Sequence, residues 1–262
     1  MTKLRISLGQ MRIVLGQVDE NFERAEQLVK AASQSASDLV LLPELWTTGY
    51  DLENALTYAD ELHAGGFARL SALAEEYRIA IYGSVLERAN GAAMNCAALH
   101  AADGRLAGAY RKIHLFRLFD EHLWLREGDS PCALDLPWAV TGLSICYDLR
   151  FPELFRRYAV KDRAELILLC AEWPLARVEH WRALLKARAI ENQMFVAATN
   201  ACGVTGGTAF GGHSMLIDPW GEVLLEGGED EDLLTAEIDL DEVDRVRQSI
   251  PVFEDRRPDA YL

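Results

Sequence analysis

Three side chains in this 262-residue sequence have types and settings from which acyl-transfer chemistry can be built. Glu44 follows the apolar run DLVLLP (38–43), and Cys146 follows VTGLSI (140–145). Lys112 stands in the basic-aromatic segment YRKIHLF (110–116), just after another expected strand. Strand ends are where α/β proteins hold functional groups on rigid scaffolding. Each residue has a plainer reading by itself. A cysteine in such a place is usually a small buried hydrophobe, a glutamate a cap or solvated carboxylate, and a lysine beside Arg111 surface charge. Together the three supply a nucleophile, a base and a cation, the set that acyl transfer needs.

The elements that must position them follow from periodicity. LRISLGQM (4–11) and DLVLLPE (38–44) read as buried strands. Residues 19–36 between them put Phe22, Ala25, Leu28, Val29 and Ala32 at helical spacing. A helix near 66–77 leads to a strand at 79–85. MNCAALH and GRLAGAY flank AADG, whose Asp103-Gly104 favours a hairpin turn. Strand 139–147 feeds a helix near 152–160, with Pro152 in its first turn. Strand 164–173, helix 176–193 and strand 194–200 follow. FGGHSMLI (210–217) and EVLLEGG (222–228) read as strands around a type I turn at Asp218-Pro219-Trp220-Gly221. The acidic run GGEDED (227–232) reads as a solvated hairpin tip, then come a strand at 233–240, a helix at 241–250 and a tail. Mixed strand and helix order with several hairpins implies a layered α/β fold rather than a simple parallel sheet.

Composition narrows the function. Half of the residues are apolar, enough for a buried core, and formal net charge is −15. That charge disfavours nucleic-acid and anionic-membrane partners. No apolar run reaches the roughly 18 residues of a membrane span, and the N-terminus lacks the pattern of a signal peptide. Five cysteines do not suggest a disulfide framework, so a cytoplasmic protein is expected. Cys96 and Cys170 read as packing residues, and Cys132 and Cys202 as loop residues. The phosphate-loop, H-E-x-x-H, C-x-x-C and G-x-S-x-G motifs are all missing. Gly206-Gly207 and Gly211-Gly212 read as turns, and the six histidines lack ligand spacing. No cofactor or metal is expected.

PEL-W-TTGY, YRK-HLF and SICYD-RFPEL, within 41–50, 110–116 and 144–154, closely resemble the three signatures of the nitrilase superfamily, the carbon–nitrogen hydrolases. HWRALLKARAIENQMFVAATN (180–200) and HSMLIDPWGEVL (213–224) resemble its later segments, so the likeness covers nearly the whole chain. The resemblance implies a four-layer α-β-β-α sandwich in one domain over 1–262, with 247–262 as a C-terminal tail, and pairing into a homodimer or larger oligomer. It implies a catalytic triad of Glu44, Lys112 and Cys146. A second glutamate is placed at Glu121 by its spacing to Gly128-Asp129, with Asp120 and Glu127 as neighbouring alternatives. In the implied mechanism Glu44 is the general base and acid. Lys112 raises the thiolate fraction and holds the oxyanion together with the backbone N–H of Tyr147. Glu121 then helps Glu44 to activate the water that cleaves a thioester.

AEWPLARVEHW (171–181) and RQSIPVFEDRRPDAY (247–261) resemble the ω-amidases, which hydrolyse 2-oxoglutaramate. A dicarboxylate monoamide of that kind needs a carboxylate clamp, and Arg177 is the candidate; a surface arginine at a helix start is the equal alternative. Trp46, Phe119 and Trp173 could wall the site against water, or be plain core. An N-carbamoyl amidase or general aliphatic amidase is the rival within enzymes. A non-catalytic binding protein on the same fold is the rival outside them.

Overall fold

The computed structural model describes residues 3–260; Met1, Thr2 and, from the end of the tail, Tyr261 and Leu262 lie outside the described residues. In chain order the elements are β1 (Lys3–Gln10), α1 (Val18–Gln34), β2 (Leu39–Leu41), α2 (Ala55–Tyr58), α3 (Gly65–Tyr77), β3 (Ala80–Ala89), β4 (Ala92–His100) and β5 (Leu106–Arg111). Then come α4 (Glu121–Trp124), β6 (Cys132–Asp135), β7 (Val140–Ile145), α5 (Pro152–Arg157), β8 (Leu166–Ala171), α6 (Val178–Asn192) and β9 (Phe195–Asn200). β10 (Cys202–Thr205), β11 (Thr208–Gly211), β12 (Met215–Ile217), β13 (Val223–Glu226), β14 (Asp232–Asp239) and α7 (Asp241–Ser249) complete the fold.

Two six-stranded sheets share one plan. The first runs β14-β1-β2-β3-β4-β5 and the second β13-β12-β9-β8-β7-β6. Each has three parallel strands at its centre, β1-β2-β3 and β7-β8-β9, flanked by antiparallel neighbours. The parallel strands need crossovers, and α1, α3, α5 and α6 supply them. Period-2 alternation sorts the side chains by face. Leu4, Ile6, Leu8, Tyr82 and Leu99 of the first sheet face the second sheet in one core. Val40, Ile81, Val85 and Ala98 face the other way, onto Phe22, Ala25 and Val29 of α1 and Phe67, Leu70 and Ala74 of α3. Trp181, Leu185 and Ala189 of α6 and Phe155 of α5 cover the second sheet. The layers are therefore α-β-β-α, the sandwich expected. Tyr82 ties the sheets together: its hydroxyl donates to the Ser144 carbonyl at 2.8 Å and accepts the Ser144 N–H at 3.2 Å.

The parallel centres fix the functional ends. β7 and β8 run in register with Ile145 opposite Cys170, so residues 146 and 172 leave neighbouring strands side by side. Glu44 leaves β2 through Leu42 and Pro43, with the Leu42 N–H donating to the Tyr82 carbonyl at 2.7 Å.

Four expectations need correction. FGGHSMLI is two strands, because Gly211 ends β11 and Gly212 turns with φ +59° where a Cβ would stand 2.4 Å from the Gly228 carbonyl oxygen. The acidic run 227–232 is no hairpin tip: it carries the chain from β13 in the second sheet to β14 in the first. Gln10 anchors this crossing by donating from Nε2 to the Gly228 and Asp230 carbonyls. Cys132 and Cys202 each begin a strand, and Cys202 is buried. The helix after Pro152 stops at Arg157 and passes into one π-helical turn, Tyr158–Asp162.

Gly142, in the centre of β7, is a packing constraint. A Cβ there would meet Ile167 Cδ1 at 2.6 Å and the Tyr158 ring at 3.0 Å. That ring cannot retreat, since its hydroxyl donates to the Leu143 carbonyl at 2.7 Å and accepts the Cys132 N–H at 3.0 Å. Gly142→Ala is expected to destabilise the protein by about 1–3 kcal/mol, read from the urea midpoint; an unshifted midpoint would refute this account of the packing.

Candidate active site

The site is assembled from residues just beyond strand ends. Cys146 opens a short 3-10 turn, Cys146–Arg150, and has φ +43°. A left-handed conformation costs a non-glycine residue about 1–3 kcal/mol and persists only where its surroundings impose it. Asp148 imposes it here. Its Oδ2 accepts the Ile145 N–H at 2.9 Å and the Tyr110 hydroxyl at 2.8 Å, while Oδ1 accepts the His114 N–H at 3.2 Å. The elbow is thereby locked to the segment that carries Lys112. Leu45, directly after Glu44, is also left-handed, at φ +40°, and is held by its N–H to Ser84 Oγ at 2.9 Å.

Lys112 is fully buried between two buried carboxylates. Its Nζ donates to Glu44 Oε1 at 2.7 Å and to Glu121 Oε1 at 2.6 Å. Glu44 also accepts Asn95 Nδ2 at 2.8 Å and the Glu172 N–H at 2.9 Å. Glu121 also accepts the Tyr50 hydroxyl at 2.8 Å and the Phe116 N–H at 2.6 Å. Burial alone would push the ammonium down, yet Glu121 and Glu44 hold Lys112 well above the usual lysine range. Burial raises Glu121, with Lys112 pulling against it. The charge of Lys112 is thus secured, and Glu121 rather than Asp120 or Glu127 is the second glutamate of the cluster.

Lys112 favours the Cys146 thiolate, the direction expected, but does not prevail. Burial, followed by Glu44, pushes the Cys146 thiol well above the usual range, and Lys112 only partly opposes this. Lys112 is already committed to two carboxylates. The resting thiol is therefore neutral, and a reaction at its sulfur needs a group that takes its proton.

Cys146 opens onto a small cavity. Tyr147, Arg150, Glu172, Trp173 and Arg177 line it, with Phe116 and Pro174. The N–H of Tyr147 lies in the first turn of the 3-10 segment, where no intrahelical acceptor exists. Arg150 stacks over Trp173 at 4.7 Å, and Trp173 Nε1 donates to the Arg177 carbonyl at 2.8 Å. Among the described residues neither guanidinium is ion-paired with a carboxylate. Phe119 instead borders an adjoining hollow with Tyr50, Phe210 and Glu172. Trp46 is in neither: it is fully buried with its ring edge-on to Phe22 at 4.6 Å, so it is core and not a wall of the site.

Sequence reasoning missed Asn95, Tyr50, Asp148, Arg150 and Glu172. Glu172 carried a usable signal, because it follows LILLCA as Glu44 follows its own buried strand. It is fully buried, and both of its side-chain oxygens lack a partner. Burial, and then Glu44, push this carboxyl well above the usual range. A carboxyl raised in the folded state binds more protons there than in the unfolded chain, so its contribution to stability falls as pH rises above the unfolded value near 4.3. Glu172→Gln has no such dependence. Its melting temperature is expected to exceed that of the wild type by a margin that widens between about pH 5 and pH 8; a margin independent of pH would show that Glu172 is ionised when folded.

A thiol on one small cavity, a carboxylate and an ammonium buried beside each other, and the backbone N–H of Tyr147 are groups that can carry out acyl transfer through a thioester. On an α-β-β-α frame this defines a thiol-dependent hydrolase class. The family model for carbon-nitrogen hydrolases matches residues 5–248, and the chain belongs to that family. It is 45% identical over 260 residues to the 2-oxoglutaramate amidase of Bacillus subtilis, covering 99% of this chain and 100% of that one. It is 36% identical over 270 residues to the ω-amidase NIT2 of Homo sapiens, covering 100% and 98%. Among solved structures, a CN-hydrolase superfamily protein from Xanthomonas campestris with an arsenic adduct in its active site superposes with a TM-score of 0.92 at 33% identity, covering 98% of each chain. Among the described residues no helix is long and apolar enough to cross a membrane.

Proposed function

We propose that this protein hydrolyses the terminal amide of 2-oxoglutaramate, or a closely similar dicarboxylate monoamide, and releases ammonia. The observation that carries the reading is that Cys146 lines one small cavity together with two arginines that have no carboxylate partner, Arg150 and Arg177. A thiol at one end suits an amide, and a cationic far end suits a free carboxylate. The name of the Bacillus subtilis relative supports this substrate, and that of the human relative supports an ω-amide. The net charge of −15 works against the approach of an anion, but beyond about 8 Å that field is screened at physiological salt.

The reaction then proceeds in two halves. Glu44 takes the thiol proton as Cys146 sulfur bonds to the amide carbon. The Lys112 ammonium and the Tyr147 N–H receive the developing oxyanion. The C–N bond breaks as Glu44 returns the proton to nitrogen, and ammonia leaves a thioester on Cys146. Water attacks the thioester, giving a proton to Glu44 with Glu121 holding Lys112 and the water in place. The C–S bond breaks, the product departs as a second carboxylate, and the thiol is restored.

Ammonia release from 2-oxoglutaramate is the direct test. Cys146→Ala and Glu44→Gln are expected to lose at least about 10³-fold in kcat. Arg150→Ala and Arg177→Ala are expected to raise KM by about 10–100-fold, the loss of a charge-assisted hydrogen bond, with a much smaller effect on an uncharged aliphatic amide. Folded wild-type protein that releases no ammonia from this substrate would sink the reading, and release of carbon dioxide from an N-carbamoyl compound would replace it.

A further inference from the structure

Glu172 is not used by the mechanism above, yet among the described residues it alone leaves two buried side-chain oxygens without a partner. Its main chain is fully occupied at the site. Its N–H donates to Glu44 Oε2 at 2.9 Å, and its carbonyl lies 3.9 Å from the Cys146 sulfur. Glu172 lines both the cavity above Cys146 and the adjoining hollow beside Tyr50. From Glu172 the chain runs along the cavity wall through Trp173 and Pro174 to Arg177. Glu172 therefore shares one cavity with Cys146, Arg150 and Arg177.

We propose that the Glu172 carboxyl recognises the 2-oxo group of the substrate, donating a hydrogen bond to the ketone oxygen. The inference rests on the dicarboxylate-monoamide reading and assigns the one polar group that reading leaves over. The amide oxygen is met by Lys112 and Tyr147, the amide nitrogen by Glu44, and the carboxylate by Arg150 and Arg177. The ketone oxygen between them is an acceptor and needs a donor. An ionised carboxylate could not donate, but the surroundings keep Glu172 protonated. Lys112 already serves Glu44 and Glu121, and a third anion in the same buried volume would have no counterion. Burial and the neighbouring Glu44 accordingly hold its proton on. A buried donor without an acceptor is unfavourable, and the ligand relieves that. A site built around such a donor discriminates strongly against an analogue that lacks the acceptor.

The test compares kcat/KM for 2-oxoglutaramate with that for glutaramate, which has the same chain without the 2-oxo oxygen. The readout is the ratio of the two in wild type, Glu172→Gln and Glu172→Leu. Wild type is expected to favour the 2-oxo substrate. Glu172→Leu is expected to lower the ratio by about 10–100-fold, whatever its absolute loss. Glu172→Gln, which keeps an N–H donor without a charge, is expected to hold the ratio within about threefold. If the leucine variant does not accumulate in folded form, Glu172→Ala reads the same ratio. An unchanged ratio in the leucine or alanine variant overturns the assignment, as does a glutamine variant that loses as much as leucine. Wild type that turns over amides but not 2-oxoglutaramate overturns the substrate reading itself, a pattern distinct from a wild type that is active with a ratio insensitive to residue 172.

Discussion

The Lys112 ammonium, sealed between Glu44 and Glu121, is the interaction on which the rest of the site depends. Removing one member of such a buried set leaves an uncompensated charge and is destabilising by about 3–5 kcal/mol. The cluster holds together because every oxygen has further donors: Asn95 and the Glu172 N–H on Glu44, Tyr50 and the Phe116 N–H on Glu121. These donors come from β4, from the ends of β2 and β8, and from the loops after β5. The arrangement thus binds both sheets to one point. Its electrostatics also bear on the state of the Cys146 thiol. With its positive charge already matched by carboxylates, Lys112 only partly offsets the burial and Glu44 that keep the thiol neutral.

Strain and packing serve the same end. The left-handed residues Cys146 and Leu45 sit at or beside the two groups that must meet, one leaving each sheet. Asp148 and Ser84 hold them with hydrogen bonds from the main chain. The tie from Tyr82 to Ser144 sets the distance between the sheets two residues before the thiol. The positions of Glu44 and Cys146 are therefore a property of how two sheets face each other, not of either sheet alone.

That dependence marks what could be read from the sequence. The strands that end at Glu44 and Cys146 were legible because buried strands of a parallel centre are short apolar runs with a polar residue at the end. The family was legible because its motifs are local. Glu172 was missed although its setting repeats that of Glu44, because one glutamate after one strand does not announce that its oxygens will find no partner. For Trp46 the sequence leaves a site wall and plain core both open; the left-handed turn at Leu45 sends its side chain to Phe22 in the outer core. The acidic run 227–232 looked like a hairpin tip because hydropathy shows where a chain turns, not which sheet receives it. Its crossing depends on Gln10, more than 200 residues earlier.

The most direct test of the account is a rapid acid quench of the enzyme during turnover of 2-oxoglutaramate, with mass analysis of the cysteine-containing peptides. The account predicts the acyl part of the substrate, less ammonia, on the peptide that carries Cys146 and on none of the peptides carrying Cys96, Cys132, Cys170 or Cys202. Turnover with the adduct on another cysteine, or with water incorporated and no acyl-cysteine formed at any quench time, would contradict it.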